Sequence, residues 1–246
     1  MRSPVNRRDP SGTRKIEREE IARQREILRP YLDAMAKVAV GSDPRKMETL
    51  ERLSTAMKGD LLDASDDWVR RAEEATIRVS DRVLNNLHTG IKLGDAVTVP
   101  REEIEALRIN IRTQVADLGD QGLKIVTQYL TEGYQLGQGV DEIADRINGE
   151  GLESLEGRAE RIVRTETMRV CDTVAKARYT AAGCDGYMSY PTDDDRLCLQ
   201  CLEHATGGNG TSLKVYGLDE PMALPWHPNC RCCRIPHFAD QQEITI

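Results

Sequence analysis

Two short clusters of sulfur and nitrogen ligands stand out in the last fifth of the sequence. Cys198 and Cys201 form a C-x2-C pair, and His227, Cys230 and Cys232 follow after a separation of 25 residues. A C-x2-C pair can place two thiolates on one ion, and a distant second cluster can complete a tetrahedral Zn²⁺ shell. Because closing such a loop adds folding free energy to a segment with few apolar residues, the spacing predicts a structural zinc site.

The choice of four ligands stays open at the level of the sequence. Cys198 and Cys201 are the strongest candidates, and the H-x2-C spacing of His227 and Cys230 favours these two as the second pair, with Cys232 as their main rival. Weaker candidates are Cys233, His237 and His204. The alternative without a metal is a set of reduced, partly buried thiols, which clustered cysteines in a reducing compartment also allow.

An acidic residue interrupts an apolar helix face upstream of this region. The apolar positions on that face are Ala159, Ile162, Val163, Val170, Val174, Ala177 and Ala181. Glu166 lies among them, and a buried carboxylate costs several kcal/mol unless it is paired or hydrogen-bonded. We therefore expect a structural partner for Glu166, either Arg196 or backbone N–H groups of the Cys/His module. Arg164, on the same helix, is grouped with them as a structural residue.

The signatures of several enzyme classes are missing from this sequence. It contains no G-x-x-x-x-G-K-[ST] loop for nucleotide phosphates, no G-x-S-x-G elbow and no H-x-E of a zinc deaminase. Glu166 as a general base near Zn²⁺ is the remaining catalytic alternative. The acidic run Asp193 to Asp195 reads as a solvated turn, with a hard-cation site as its alternative. We expect no catalytic residues and no enzymatic activity.

The spacing of apolar residues predicts an α-rich fold. Long N-terminal helices are expected over 13–29, 31–40, 44–57, 63–88 and 101–130, with breaks at Pro30 and at Lys58 to Asp60. A short helix over 140–147 and a long one over 153–182 follow, and strand-like pieces come at 187–190, 214–216 and 231–235. The C-terminal part is therefore expected to be a small α+β domain that carries the Cys/His zinc-type module.

Charge divides the chain unevenly. The first 60 residues carry 14 Lys and Arg against 10 Asp and Glu, whereas the other 186 carry 20 against 31. We expect a basic, partly flexible helical arm over 1–60, a long-helix region over 61–130 and a separate domain over 131–246. The acidic body argues against broad wrapping of duplex DNA, although the basic arm could touch DNA or an acidic protein. No secretory signal or membrane span is evident, so synthesis in the cytoplasm and no membrane partner are expected.

The motifs of the C-terminal half resemble those of the phage Mu F-like minor head proteins, also called the phage head morphogenesis domain. The stretch Gly157 to Thr167 is similar to the family's RAE-x-I-x-RTET helix. Asp194 to Cys201 matches its DDR-x-C-x-x-C segment, and His227 to Cys232 matches its terminal HP-x-CRC. The order and spacing agree over residues 130–236. Leu199 stands where many members carry Pro, and Cys233 is an additional thiol.

This resemblance implies a minor capsid component of a tailed virus. Such a protein would be associated with the portal, would lie in the virion at the head interior or portal vertex, and would act in head assembly and in genome packaging or delivery. Its expected partners are the portal protein, the major capsid protein or further copies of itself, together with packaged DNA through the basic N-terminal arm. The first alternative is a zinc-dependent nucleic-acid-binding module, against which the acidic surroundings and scarce aromatic residues argue. The second is a metallohydrolase that uses Zn²⁺ with Glu166, which would need an open coordination position.

Overall fold

A computed structural model of the chain describes residues 12–42, 44–87, 99–192, 197–210, 212–220 and 222–239. The expectation of a loose tail over 1–12 falls almost entirely outside these residues, as does that of an acidic turn at 193–195. The helices are α1 (Arg14–Val40), α2 (Lys46–Leu87), α3 (Arg101–Gln135), α4 (Val140–Arg146), α5 (Leu152–Ala181) and α6 (Leu199–Thr206), and the strands are β1 (Gly186–Tyr190), β2 (Val215–Gly217) and β3 (Cys233–His237). The predicted architecture, long N-terminal helices before a small α+β region with a Cys/His cluster, is confirmed.

Two helix breaks expected from the sequence do not occur. Helix α1 continues through Pro30, although proline removes one backbone hydrogen bond, and α2 continues through Gly59. Leu28, Leu32 and Met35 are fully buried on either side of the proline. Packing of this stripe outweighs the local cost of the breaking residue, because most helix stability in proteins comes from tertiary burial.

A third expected break, after residue 147, is also absent. The chain passes from α4 into a π-helical turn at Ile147–Gly151 and then directly into α5. Gly151 is buried there, and a Cβ at this position would lie 2.8 Å from Ile125 Cγ2. The glycine therefore allows a close approach to α3 while the backbone stays helical.

The chain divides into two compact units that combine segments distant in sequence. One unit contains Met1–Glu17, Val69–Leu107 and Arg164–Ile246, and the other contains Arg18–Trp68 and Arg108–Val163. The three-part division into 1–60, 61–130 and 131–246 stays a prediction. The second unit is all-helical, and its buried side chains include Leu50, Met57, Ile111, Leu118 and Leu155.

The unit with the C-terminal region contains a three-stranded antiparallel sheet in the order β2-β1-β3. All five residues of the central strand β1 are buried. The core around it includes Val83 from α2, Tyr179 from α5, Tyr187 from β1 and Ile235 from β3. The sheet and the C-terminal part of α5 therefore hold in place the loops that carry the cysteines and His227.

Candidate metal centre

The first pair of thiols lies at the start of α6. Cys198 is the N-cap residue, and its Sγ accepts a hydrogen bond from the Cys201 backbone N–H at 3.4 Å. A sulfur in this position satisfies one of the backbone donors that a helix leaves unpaired in its first turn. Cys201 is buried and Cys198 is half-buried, so the pair is held on one side of the helix end.

His227 and Cys230 lie at the two ends of a tight turn. The Cys230 N–H donates to the His227 carbonyl at 3.1 Å, and Asn229 has a φ of +64°. Pro228 at the second position and a positive φ at the third are the features of a type II turn. His227 Nδ1 lies 2.7 Å from the Pro228 carbonyl oxygen, which can only accept. Nδ1 therefore acts as the donor in this contact, which orients the ring so that Nε2 faces the cysteine sulfurs.

The two clusters converge in space. His227 Nε2 lies 3.1 Å from both Cys198 Sγ and Cys201 Sγ, and Cys201 Sγ lies 3.7 Å from Cys230 Sγ. Two sulfurs bound tetrahedrally at about 2.3 Å from Zn²⁺ are roughly 3.8 Å apart, so the sulfur separation fits a shared ion.

The donors fall into two groups that share one sulfur. Cys198, Cys201 and His227 form the first group, and Cys201, Cys230 and Cys232 form the second, with the ligand atoms of each group within 4.8 Å of one another. All members of the second group are buried. All seven cysteines lie in the described residues and none of them forms a disulfide. The arrangement can hold a metal ion.

Backbone amides and neighbouring thiols set the protonation of the cluster. The Cys201 N–H, assisted by His227, holds the pKa of Cys198 below its usual range. Hydrogen bonds from Cys201 and Cys232, with the backbone N–H groups of Cys232 and Trp226, lower the pKa of Cys230. The pKa of Cys201 is raised because it donates to Cys230. Two of the sulfurs are therefore stabilised as thiolates, the form that binds metal.

The weaker candidate ligands His204, Cys233 and His237 belong to neither donor group, whereas Cys232 belongs to the second. His204 instead stacks on Trp226 with ring centroids 4.1 Å apart. Cys233 and His237 are the first and last residues of β3, where they pair with Tyr190 and Gly186 of β1.

Glu166 is buried within the apolar face of α5, with 1% of its surface exposed. Arg169, one turn along the helix, lies 3.6 Å from it. The suggested partner Arg196 lies outside the described residues, and Arg164 is a half-buried residue of the same helix. A hydrogen bond that joins the His227–Cys230 turn to α5 ends on Thr165, the residue before Glu166.

An ion pair that the sequence reading missed holds the segment before His227. Arg234 of β3 donates to both carboxylate oxygens of Asp172 on α5, at 2.8 and 3.0 Å, and to the Met222 carbonyl. The Leu224 N–H donates to the same carboxylate at 3.4 Å. Asp172 falls between apolar positions of α5, but no local pattern identifies a partner 62 residues away.

Comparison with known proteins gives no assignment. No protein-family model matches the sequence, and neither a curated protein nor a solved structure matches it significantly. In the part of the chain that the structure describes, none of the helices has a stretch long and apolar enough to cross a membrane.

Proposed function

We propose that the Cys/His cluster binds one structural zinc ion through Cys198, Cys201, His227 and Cys230. The observation that carries this proposal is that His227 Nε2 lies 3.1 Å from the sulfurs of both Cys198 and Cys201. The mixed nitrogen and sulfur donor set suits Zn²⁺. Cys232 is the fifth donor and remains protonated beside the metal, where it can donate to Cys230.

A structural role for the zinc is favoured over a hydrolytic one. Four protein ligands fill a tetrahedral shell, whereas a catalytic zinc keeps one position for water. The nearby carboxylates are also engaged, since Asp172 is paired with Arg234 and Glu166 lies beside Arg169. We therefore propose that the chain is not an enzyme and that zinc fastens the loops around α6 and the His227–Cys230 turn.

For the biological role of the chain, we propose that it is a minor head protein of a tailed virus, located in the virion near the portal. Its support is the Mu F-like motif set. The described parts of its three motifs lie on α5, at the start of α6 and in the His227–Cys230 turn, and Asp194 to Arg196 lie outside the described residues. The last two motifs supply the cluster, and the first supplies Thr165. In this proposal the helices offer surfaces to the portal or major capsid protein, and head assembly and genome packaging or delivery are the processes served.

Metal analysis tests the zinc proposal. Protein purified without chelator should contain about one zinc per chain. Cys201→Ser should lose it, because Cys201 belongs to both donor groups. Cys184→Ser, which alters a buried thiol outside those groups, is the matched control and should keep it. A metal-free wild-type protein whose melting temperature ignores a chelator would contradict the proposal.

Assembly tests the head proposal. The chain should co-sediment with heads when it is co-expressed with the portal and major capsid proteins of the same virus, and a map of those heads should place it at the portal vertex. The nucleic-acid alternative expects instead a salt-dependent shift of DNA by the full chain. Heads that form normally and exclude the chain would contradict the proposal.

A further inference from the structure

Three consecutive polar residues of α5, Thr165, Glu166 and Thr167, are all buried. Buried polar groups are costly unless they are hydrogen-bonded, so their position beside the cluster calls for a physical reason. Thr165 supplies one, because its hydroxyl oxygen accepts the Asn229 backbone N–H at 3.1 Å. We propose that Thr165 is a positioning residue for the metal centre: it fixes the turn that presents His227 and Cys230. This inference rests on the proposed zinc site.

The turn leaves the Asn229 N–H available for an outside partner. The hydrogen bond that closes the turn is made by the Cys230 N–H to the His227 carbonyl. The N–H of the preceding residue, Asn229, therefore makes no hydrogen bond within the turn and donates to the Thr165 hydroxyl. Because His227 and Cys230 are the two ends of the turn, a rotation about Asn229 would displace both donor atoms together.

A second threonine holds the other side of Cys230. The Thr192 hydroxyl donates to the Arg231 carbonyl at 2.8 Å. The residues before and after Cys230 are thus each joined through the backbone to a threonine side chain, one on α5 and one just beyond β1. Threonine suits this task because its branched Cβ restricts χ1 and so limits the directions in which the hydroxyl can point. Removing a group that orients a metal ligand typically lowers the metal affinity by about 10- to 100-fold.

The test compares Thr165→Val, which keeps the shape and removes the acceptor, with Thr165→Ser, which keeps the hydroxyl. Thr76→Val is the matched control, because Thr76 is also buried on a helix of this unit and its hydroxyl donates to the Ala72 carbonyl. Zinc affinity is measured by competition with a chromophoric chelator, and Co²⁺ is used as a spectroscopic probe of ligand geometry.

We expect Thr165→Val to weaken zinc binding on the order of 10- to 100-fold and to change the visible spectrum of bound Co²⁺. Thr165→Ser should restore both, and Thr76→Val should leave both as in the wild type. If the valine substitution prevents folding, Thr165→Ala replaces it, since alanine is a strong helix former. The inference about Thr165 would be overturned if Thr165→Val left the zinc affinity and the Co²⁺ spectrum unchanged. It would also be overturned if Thr165→Ser lost them to the same extent as Thr165→Val. Either result would leave the proposed zinc site standing. A wild-type protein that binds no zinc would overturn the proposed site as well.

Discussion

Arg234 offers the clearest test of how the C-terminal region is held together. Its guanidinium is 3% exposed and the Asp172 side chain is 12% exposed. Replacing Arg234 by Met keeps an unbranched chain about as long as the arginine stem but leaves a buried carboxylate without its cation. Breaking a buried pair in this way costs about 3–5 kcal/mol. A backbone carbonyl, that of Met222, also loses its donor.

Hydrogen exchange of the β1 and β3 amides measures this loss directly. Since about 1.4 kcal/mol is a factor of ten, exchange should accelerate roughly 150- to 4,000-fold in zinc-saturated Arg234→Met. The control is Lys214→Met, which removes an exposed pair with Glu220 in the same unit and should cost at most about 1 kcal/mol. Equal exchange in the two variants would refute the reasoning.

The loss should also depend on pH. Burial raises the pKa of Asp172 even with Arg234 in place, and removing the cation should raise it further. The folded variant then binds a proton that the unfolded chain has already released. Its stability therefore falls as the pH rises from the unfolded value of 3.8 through the folded pKa, and it recovers as the pH is lowered through that window. A destabilisation that grows on acidification would contradict this account.

Backbone geometry leads to three further predictions. Pro30→Ala should raise the free energy of unfolding by up to about 3 kcal/mol, because Pro30 is exposed within α1; denaturation followed by circular dichroism checks this. Gly59→Ala should stabilise α2 by about 0.5–1 kcal/mol, since an added Cβ would have no atom within 4 Å. Gly186→Ala should destabilise the protein, because a Cβ added to β1 would lie 2.6 Å from the Tyr216 carbonyl oxygen. Melting curves of the two variants measure both effects. Asn229→Gly should keep the zinc affinity and Asn229→Ala should lower it, because the positive φ favours glycine over alanine; chelator competition measures both.

Periodicity was sufficient to predict the helices but not their ends. The stripe from Trp68 to Val83 is helical and largely buried, as its spacing indicates. Pro30 and Gly59 were wrongly expected to break helices, because their local cost is visible in the sequence while the burial that offsets it is not. The same holds for Gly151, whose need for a close approach to α3 depends on a packing partner.

The candidate site was predictable where ligand chemistry restricts spacing. The C-x2-C and H-x2-C spacings are patterns that few other functions require. The structure places Cys198, Cys201 and His227 in one donor group, and Cys230 joins Cys201 in a second. Thr165 and Asp172 were missed because their partners lie more than 50 residues away in the sequence, where no local pattern identifies them. Glu166 was correctly expected to lie inside the helix face, but the neighbouring threonine is the residue that joins the turn.

The order of strands in the sheet has a consequence for synthesis. β1 is the middle strand, yet both of its neighbours follow it in the sequence. As the chain leaves the ribosome, β1 therefore emerges with both hydrogen-bonding edges open and with apolar side chains that will later be covered. Exposed edges of this kind recruit other chains. Production of the protein at low temperature, or with a chaperone that binds short apolar segments, should therefore improve the yield of soluble protein. Changing the buffer after the chain has been synthesised should improve it less.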